Sequence, residues 1–74
     1  MDFAQAGQIF AGPHFTKPDR RRDYGEDRFT SYGVLDERAC VVVWTQRKEN
    51  RRIISLRKAD ADESEFIRRV MGGP

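Results

Sequence analysis

The chain has one cysteine and one histidine among its 74 residues. A lone thiol, Cys40, excludes an internal disulfide framework and fits a reducing cytoplasm, the compartment expected here. No second cysteine or cluster of metal-ligand side chains accompanies it, so no zinc site or other cofactor is expected, and Cys40 reads as a small core residue. No apolar run approaches the ~18–20 residues that span a membrane, and no membrane partner is expected. The start of the chain lacks a basic segment followed by an apolar one, the pattern of a secretion signal. A Gly-rich phosphate loop is also missing, as are internal repeats and low-complexity tracts.

What is present is enough for one small domain spanning 1–74. The chain is 38% hydrophobic and 35% charged. That is polar, but Val, Ile, Phe and Trp suffice for a core, so the chain is not of the disordered class. A domain of this size buries only roughly 60% of its unfolded surface, so a bound partner contributes materially to its stability. Charge is unevenly spread. Residues 1–37 carry five Lys/Arg and seven Asp/Glu, a net of −2, and residues 38–74 carry nine and five, a net of +4. Within 38–58, seven basic residues face only Glu49, a net of +6. Such a strip is either a solvated face or a surface for a polyanion or an acidic partner.

Asp2 with Gln5 three residues later resembles a capping box. Phe3, Ala6, Gly7 and Phe10 then share a helical face, and Gly12-Pro13 ends the helix. Residues 14–18 read as a short extended segment, and 19–27 as a charged loop. Strands are expected at about 28–35, 39–46 and 51–58. Short polar turns at Asp36-Glu37-Arg38 and Lys48-Glu49-Asn50 favour antiparallel hairpins. Cys40-Val41-Val42-Val43-Trp44 is apolar on both faces and predicts the central strand. A last helix near 61–71 is capped by Asp60, with Glu63 in its first turn and an apolar stripe of Phe66, Ile67, Val70 and Met71. The fold class is α+β: a helix, a three- to four-stranded antiparallel sheet and a C-terminal helix.

Side chains alternate faces along a strand. Strict alternation puts Ile54 and Leu56 toward the helices with Arg52 and Lys58, and Arg51, Ile53, Ser55 and Arg57 on the other face. Ser55 and Arg57, about 7 Å apart, suit a phosphate because the guanidinium fork matches its oxygens. They also suit an ordinary half-exposed strand. His14 reads as an ordinary strand residue and Trp44 as core. Tyr32, on a half-polar strand, is the candidate to stack on a base.

The segment Arg52-Ile53-Ile54-Ser55-Leu56-Arg57-Lys58-Ala59, followed by a helix with an early Glu63, resembles the BrnT toxin family. Val41-Val42-Val43-Trp44-Thr45, Glu26-Asp27-Arg28-Phe29 with Gly33, and Phe3, Ala6, Phe10 and Pro13 match further family patterns, in order over about residues 2–68. The resemblance implies a RelE-like ribonuclease toxin that cleaves RNA without a metal. It also implies a BrnA-like ribbon-helix-helix antitoxin that neutralises the toxin and through which operator DNA is bound. The family's opening strand and helix, with a Trp-Asp pair and a Lys-His-Gly ending, have no counterpart here. Met1 stands where the family has Val, and GUG encodes Val internally but initiates as Met. The expectation is a natural start further upstream, with a homodimer formed through the surfaces that truncation exposes.

Within that resemblance, the catalytic set expected is Arg57 for phosphate stabilisation, Ser55 as a neighbouring donor, Glu26 as the base and Arg28 as a helper. Glu26 has an alternative as a loop partner of Arg20–Arg22. RNA contacts are expected from Arg51, Arg52, Lys58 and Tyr32. Three readings stand: a ribonuclease toxin, a non-catalytic toxin-fold module that binds antitoxin or RNA, and a general nucleic-acid adaptor.

Overall fold

The computed structural model describes residues 3–19, 25 and 27–71. A 3-10 turn over Phe3–Gln5 leads into helix α1 (Ala6–Ala11). Four strands follow: β1 (His14–Asp19), β2 (Arg28–Leu35), β3 (Arg38–Arg47) and β4 (Asn50–Lys58). Helix α2 (Ala61–Val70) closes the described chain. The strands form one antiparallel sheet in the order β1-β2-β3-β4. This is the α+β arrangement expected from the sequence, with the 14–18 segment supplying the fourth strand. Asp2, Arg20–Arg22 and Glu26 lie outside the described residues.

The meander is joined by tight turns. Asp36 and Glu37 both take positive φ (51° and 65°), the backbone a two-residue hairpin needs to follow the strand twist. Glycine is the residue that adopts that conformation freely. Asp36 is among the residues that tolerate it, so Glu37 is the unfavourable local choice, which the two flanking strands impose.

Helix α1 covers one face of the sheet. Ala6 and Ile9 are buried against Leu35, Cys40, Val42, Trp44 and Leu56, with Phe10, Phe29 and Ile53 packed beside them. Phe3, expected on the buried side, is 49% exposed, because the 3-10 turn at Phe3–Gln5 is wound more tightly than an α-helix and does not carry the α-helical face back to residue 3. Gly33 lets α1 approach closely: a Cβ there would lie 2.6 Å from the Ile9 Cγ2. His14 lies in β1 with its Nδ1 2.9 Å from the Gly12 carbonyl oxygen and its ring edge-on to Phe10.

Trp44 is core, as its neighbours suggested. Its ring stacks on Phe29 and its Nε1 donates to the Ser31 Oγ at 2.8 Å. Ser31, fully buried, also pairs with the Thr16 Oγ1 at 2.7 Å, so the side-chain polar atoms of Thr16, Ser31 and Trp44 satisfy one another. Cys40 is fully buried. Desolvation pushes its thiol above its ordinary pKa, which suppresses the reactive thiolate.

Helix α2 packs on the opposite face through Ile67, against Val41 and Tyr32, with Phe15, Ala39, Ala59 and Met71 around them. The expected stripe is only partly used, since Phe66 and Val70 are 38% and 51% exposed. The helix covers one end of its face and leaves the other end open.

Candidate nucleic-acid interface

Strand β4 does not alternate as expected. Val43 pairs with Ser55 and Trp44 pairs with Ile53, so Ile54 is an extra residue in a bulge. A bulge reverses the phase of the strand on one side of it. Ile53, not Ile54, therefore packs with Leu56 on the α1 face. Arg52 moves to the face of Ser55 and Arg57, opposite Thr45.

Arg51 moves the other way. Its guanidinium lies 4.0 Å from the Phe10 ring centre and 5.2 Å from that of Trp44, on the α1 face. Lys58 pairs with Cys40 and lines a hollow with Gln5, Leu35, Asp36 and Arg38, also on that side. Of the four residues expected to contact RNA, Arg52 and Tyr32 thus share the face of Arg57. Arg51 and Lys58 do not, because sequence alternation alone does not reveal a bulge.

Three rows of side chains cross the α2 face from β2 through β3 to β4: Tyr32, Val41 and Arg57; Thr30, Val43 and Ser55; Arg28, Thr45 and Arg52. Strand β1 adds Phe15 beside Tyr32, Lys17 beside Thr30 and Asp19 beside Arg28. Successive rows are about 7 Å apart. A cleft of about 270 Å³ opens between the first two rows and the start of α2, lined by Lys17, Asp19, Thr30, Tyr32, Arg57 and Glu63 among others. Arg28 does not join it. It lines a separate hollow with Thr45, Arg47 and Arg52, at the far end of the face.

Arg57 is the cation best placed in the cleft. Its side chain is 51% exposed, and it makes a two-pronged contact with Glu63: Nη1 donates to Oε1 at 2.7 Å and Nη2 to Oε2 at 2.8 Å. Glu63 is also part of a capping box. Its backbone N donates to the Asp60 Oδ1 at 2.8 Å, and its Oε1 accepts from the Asp60 backbone N at 3.0 Å. The Arg57 guanidinium, followed by the Asp60 N–H, holds the Glu63 carboxyl down at about 2. Hydrogen bonding to Glu63 in turn raises the Arg57 pKa. Helix α2 thereby fixes both itself and the orientation of the guanidinium with one carboxylate.

Tyr32 is not available as a stacking platform. The residue is 8% exposed, its ring stacked on Phe15 with centroids 5.0 Å apart and edge-on to Phe66. The Lys17 Nζ lies 5.4 Å from the ring centres of both Tyr32 and Phe66, a cation–π arrangement that seats the ammonium at the cleft. Sequence reasoning passed over Lys17, which carries no motif. Phe15-x-Lys17-x-Asp19 does alternate, but only the pairing with β2 shows that this face meets Arg57. It also gave Glu63 a role in the helix dipole alone, where its main partner is Arg57.

Among the described residues, no group of three or more His, Cys, Asp or Glu is arranged to hold a metal ion. No helix among them is long and apolar enough to cross a membrane.

Residues 1–63 match the family described as the ribonuclease toxin BrnT of type II toxin–antitoxin systems, a span that takes in all four strands and ends on Glu63. No curated protein and no solved structure matches the chain. With 63 of 74 residues aligned to it, the chain belongs to the BrnT ribonuclease toxins of type II toxin–antitoxin systems, whose members act with an antitoxin partner.

Proposed function

We propose that this toxin is a metal-independent endoribonuclease that cleaves RNA on the α2 face of its sheet and so arrests growth. The observation that carries the reading is Arg57, a half-exposed guanidinium held in fixed orientation in a cleft that also holds Lys17. Cleavage at a 2′-hydroxyl transfers its proton to a base, forms an O2′–P bond through a pentacoordinate phosphate, and breaks the P–O5′ bond as an acid protonates the leaving oxygen. The extra negative charge on the phosphoryl oxygens is the feature the protein must stabilise, and fixed donors do so without reorganising. Arg57 and Lys17 are the cations for that role, and Ser55, one row away, is a neighbouring donor. Arg52 and Arg28, at the far end of the face, hold RNA phosphates away from the scissile bond. Glu63, held at about 2, is too weak a base for work near neutral pH. Glu26 is the proposed base.

The partner we propose is a BrnA-like ribbon-helix-helix antitoxin, with operator DNA reached only through it. A second reading is a toxin-fold module that binds antitoxin or RNA without cutting. What favours it is the Arg57–Glu63 pair itself, since a guanidinium already joined to a carboxylate suits binding as well as catalysis.

Induction of the chain in cells, with growth and RNA decay followed beside Arg57→Ala and Arg51→Ala, separates the two. Growth arrest and RNA loss that survive Arg51→Ala and vanish with Arg57→Ala are expected. Stable, harmless expression of the unaltered chain overturns the ribonuclease reading and leaves the binding module.

A further inference from the structure

A guanidinium carries five N–H donors in one plane, arranged as forks along its edges. In Arg57, Nη1 donates to Glu63 Oε1 and to the Lys58 carbonyl, at 2.7 and 3.3 Å, and Nη2 donates to Glu63 Oε2 at 2.8 Å. Those bonds use the end of the group and one flank. The opposite flank, formed by Nε–H and the second Nη2 hydrogen, is a separate fork of the same width. Bidentate binding of a phosphate needs one such edge, not both.

Glu63 is itself immobilised. Its carboxylate accepts from the Asp60 backbone N, and its backbone is tied back to the Asp60 side chain. A floppy surface carboxylate would contribute little to an exposed arginine. One locked into the first turn of a helix fixes the guanidinium plane relative to the sheet.

We infer that Glu63 is a positioning residue for Arg57: it clamps the Nη end of the guanidinium so that the Nε edge is presented to an RNA phosphate in the cleft. The clamp rests on the ribonuclease reading for its purpose, though not for its geometry. It gives Glu63 a role distinct from a base, which would touch the 2′-hydroxyl, and from a competitor, which a phosphate would have to displace. The competitor and clamp roles differ in sign. Removing a competing carboxylate speeds cleavage. Removing a clamp slows it, even though deleting a negative charge beside the site favours anion binding.

Two measurements on the intact chain test this. In the first, inorganic phosphate is titrated into isotope-labelled protein at neutral pH, and the Arg57 Nε–H and Glu63 Cδ resonances are followed. The expected result is a saturable shift of Nε–H with Glu63 Cδ unmoved. Overturning results are a silent Nε–H, or a Glu63 Cδ that moves to the position of a released carboxylate. In the second, RNA cleavage is compared for wild type, Glu63→Gln and Glu63→Ala. The glutamine keeps a capping-box acceptor and so guards against simple unfolding. The expected result is a kcat lower by on the order of 10²-fold in Glu63→Ala, a smaller loss in Glu63→Gln and a KM little changed. Cleavage by Glu63→Ala at or above the wild-type rate refutes the clamp. If Arg57→Ala cleaves normally, or the chain does not cleave at all, the ribonuclease reading fails instead, and the phosphate titration still decides the geometry.

Discussion

The two faces of this sheet are built on opposite terms. The α1 face is closed: Ile9, Val42, Cys40 and Leu56 interlock, Gly33 admits the helix, and the polar atoms of Thr16, Ser31 and Trp44 satisfy one another. The α2 face is half-closed. Ile67, Tyr32 and Phe15 seal one end, and beyond them Thr30, Ser55, Arg52 and Arg28 line an open floor with Lys17 and Arg57 in its cleft. One face carries most of the core and the other carries the cleft that holds Arg57 and Lys17. A domain of 74 residues has little core to spare, so the polar face exists only because the apolar face is tightly packed.

That contrast gives graded expectations. The largest effect on stability should come from Ile9→Ala, at about 2–5 kcal/mol, a large share of the ~4–11 kcal/mol ordinary for this length. Chemical denaturation measures it, and a loss below 1 kcal/mol would mean the α1 face is not the main core. Next comes Gly33→Ala. Its new methyl would have to push back Ile9, so a loss of about 1–3 kcal/mol is expected. A neutral result would show that α1 slides freely on the sheet.

Smaller still is the contribution of the Arg57–Glu63 pair. The folded pKa of Glu63, about 2, lies below its ordinary 4.5. Its stabilisation is therefore complete above about pH 4.5 and lost as pH falls toward 2. Because Arg57 is 51% exposed, solvent screening limits the gain to roughly 1 kcal/mol or less. Glu63→Gln should then be slightly less stable than wild type at pH 7 and equal to it near pH 2. A constant difference across that range would mean the carboxylate charge contributes nothing to folding.

The sequence showed most of the fold and about half of the site. Hairpin turns, the apolar run at Cys40–Trp44 and the Asp60 cap are local signals, and they placed β2, β3, β4 and α2 to within a residue or two. The fold class followed from them. What could not be read was the bulge at Ile54, which depends on how β4 pairs with β3. That single extra residue moved Arg52 onto the face of Arg57 and Arg51 off it, and exchanged Ile54 for Ile53 in the core. Lys17 was missed for a related reason, since its place beside Thr30 comes from pairing across a connection with no periodicity. Tyr32 looked half-exposed in its strand because Phe15, Phe66 and Lys17, which cover its ring, come from distant parts of the chain.

The central claim is that RNA is held on the α2 face. It is tested most directly by titrating the chain with an RNA oligonucleotide blocked at its 2′-hydroxyls and mapping backbone and side-chain chemical shifts. The account predicts that perturbations centre on Lys17, Thr30, Arg52, Ser55 and Arg57 and spare Arg51, Lys58 and Trp44. Perturbations centred on Arg51 and Lys58, or none at any concentration of RNA, would contradict it.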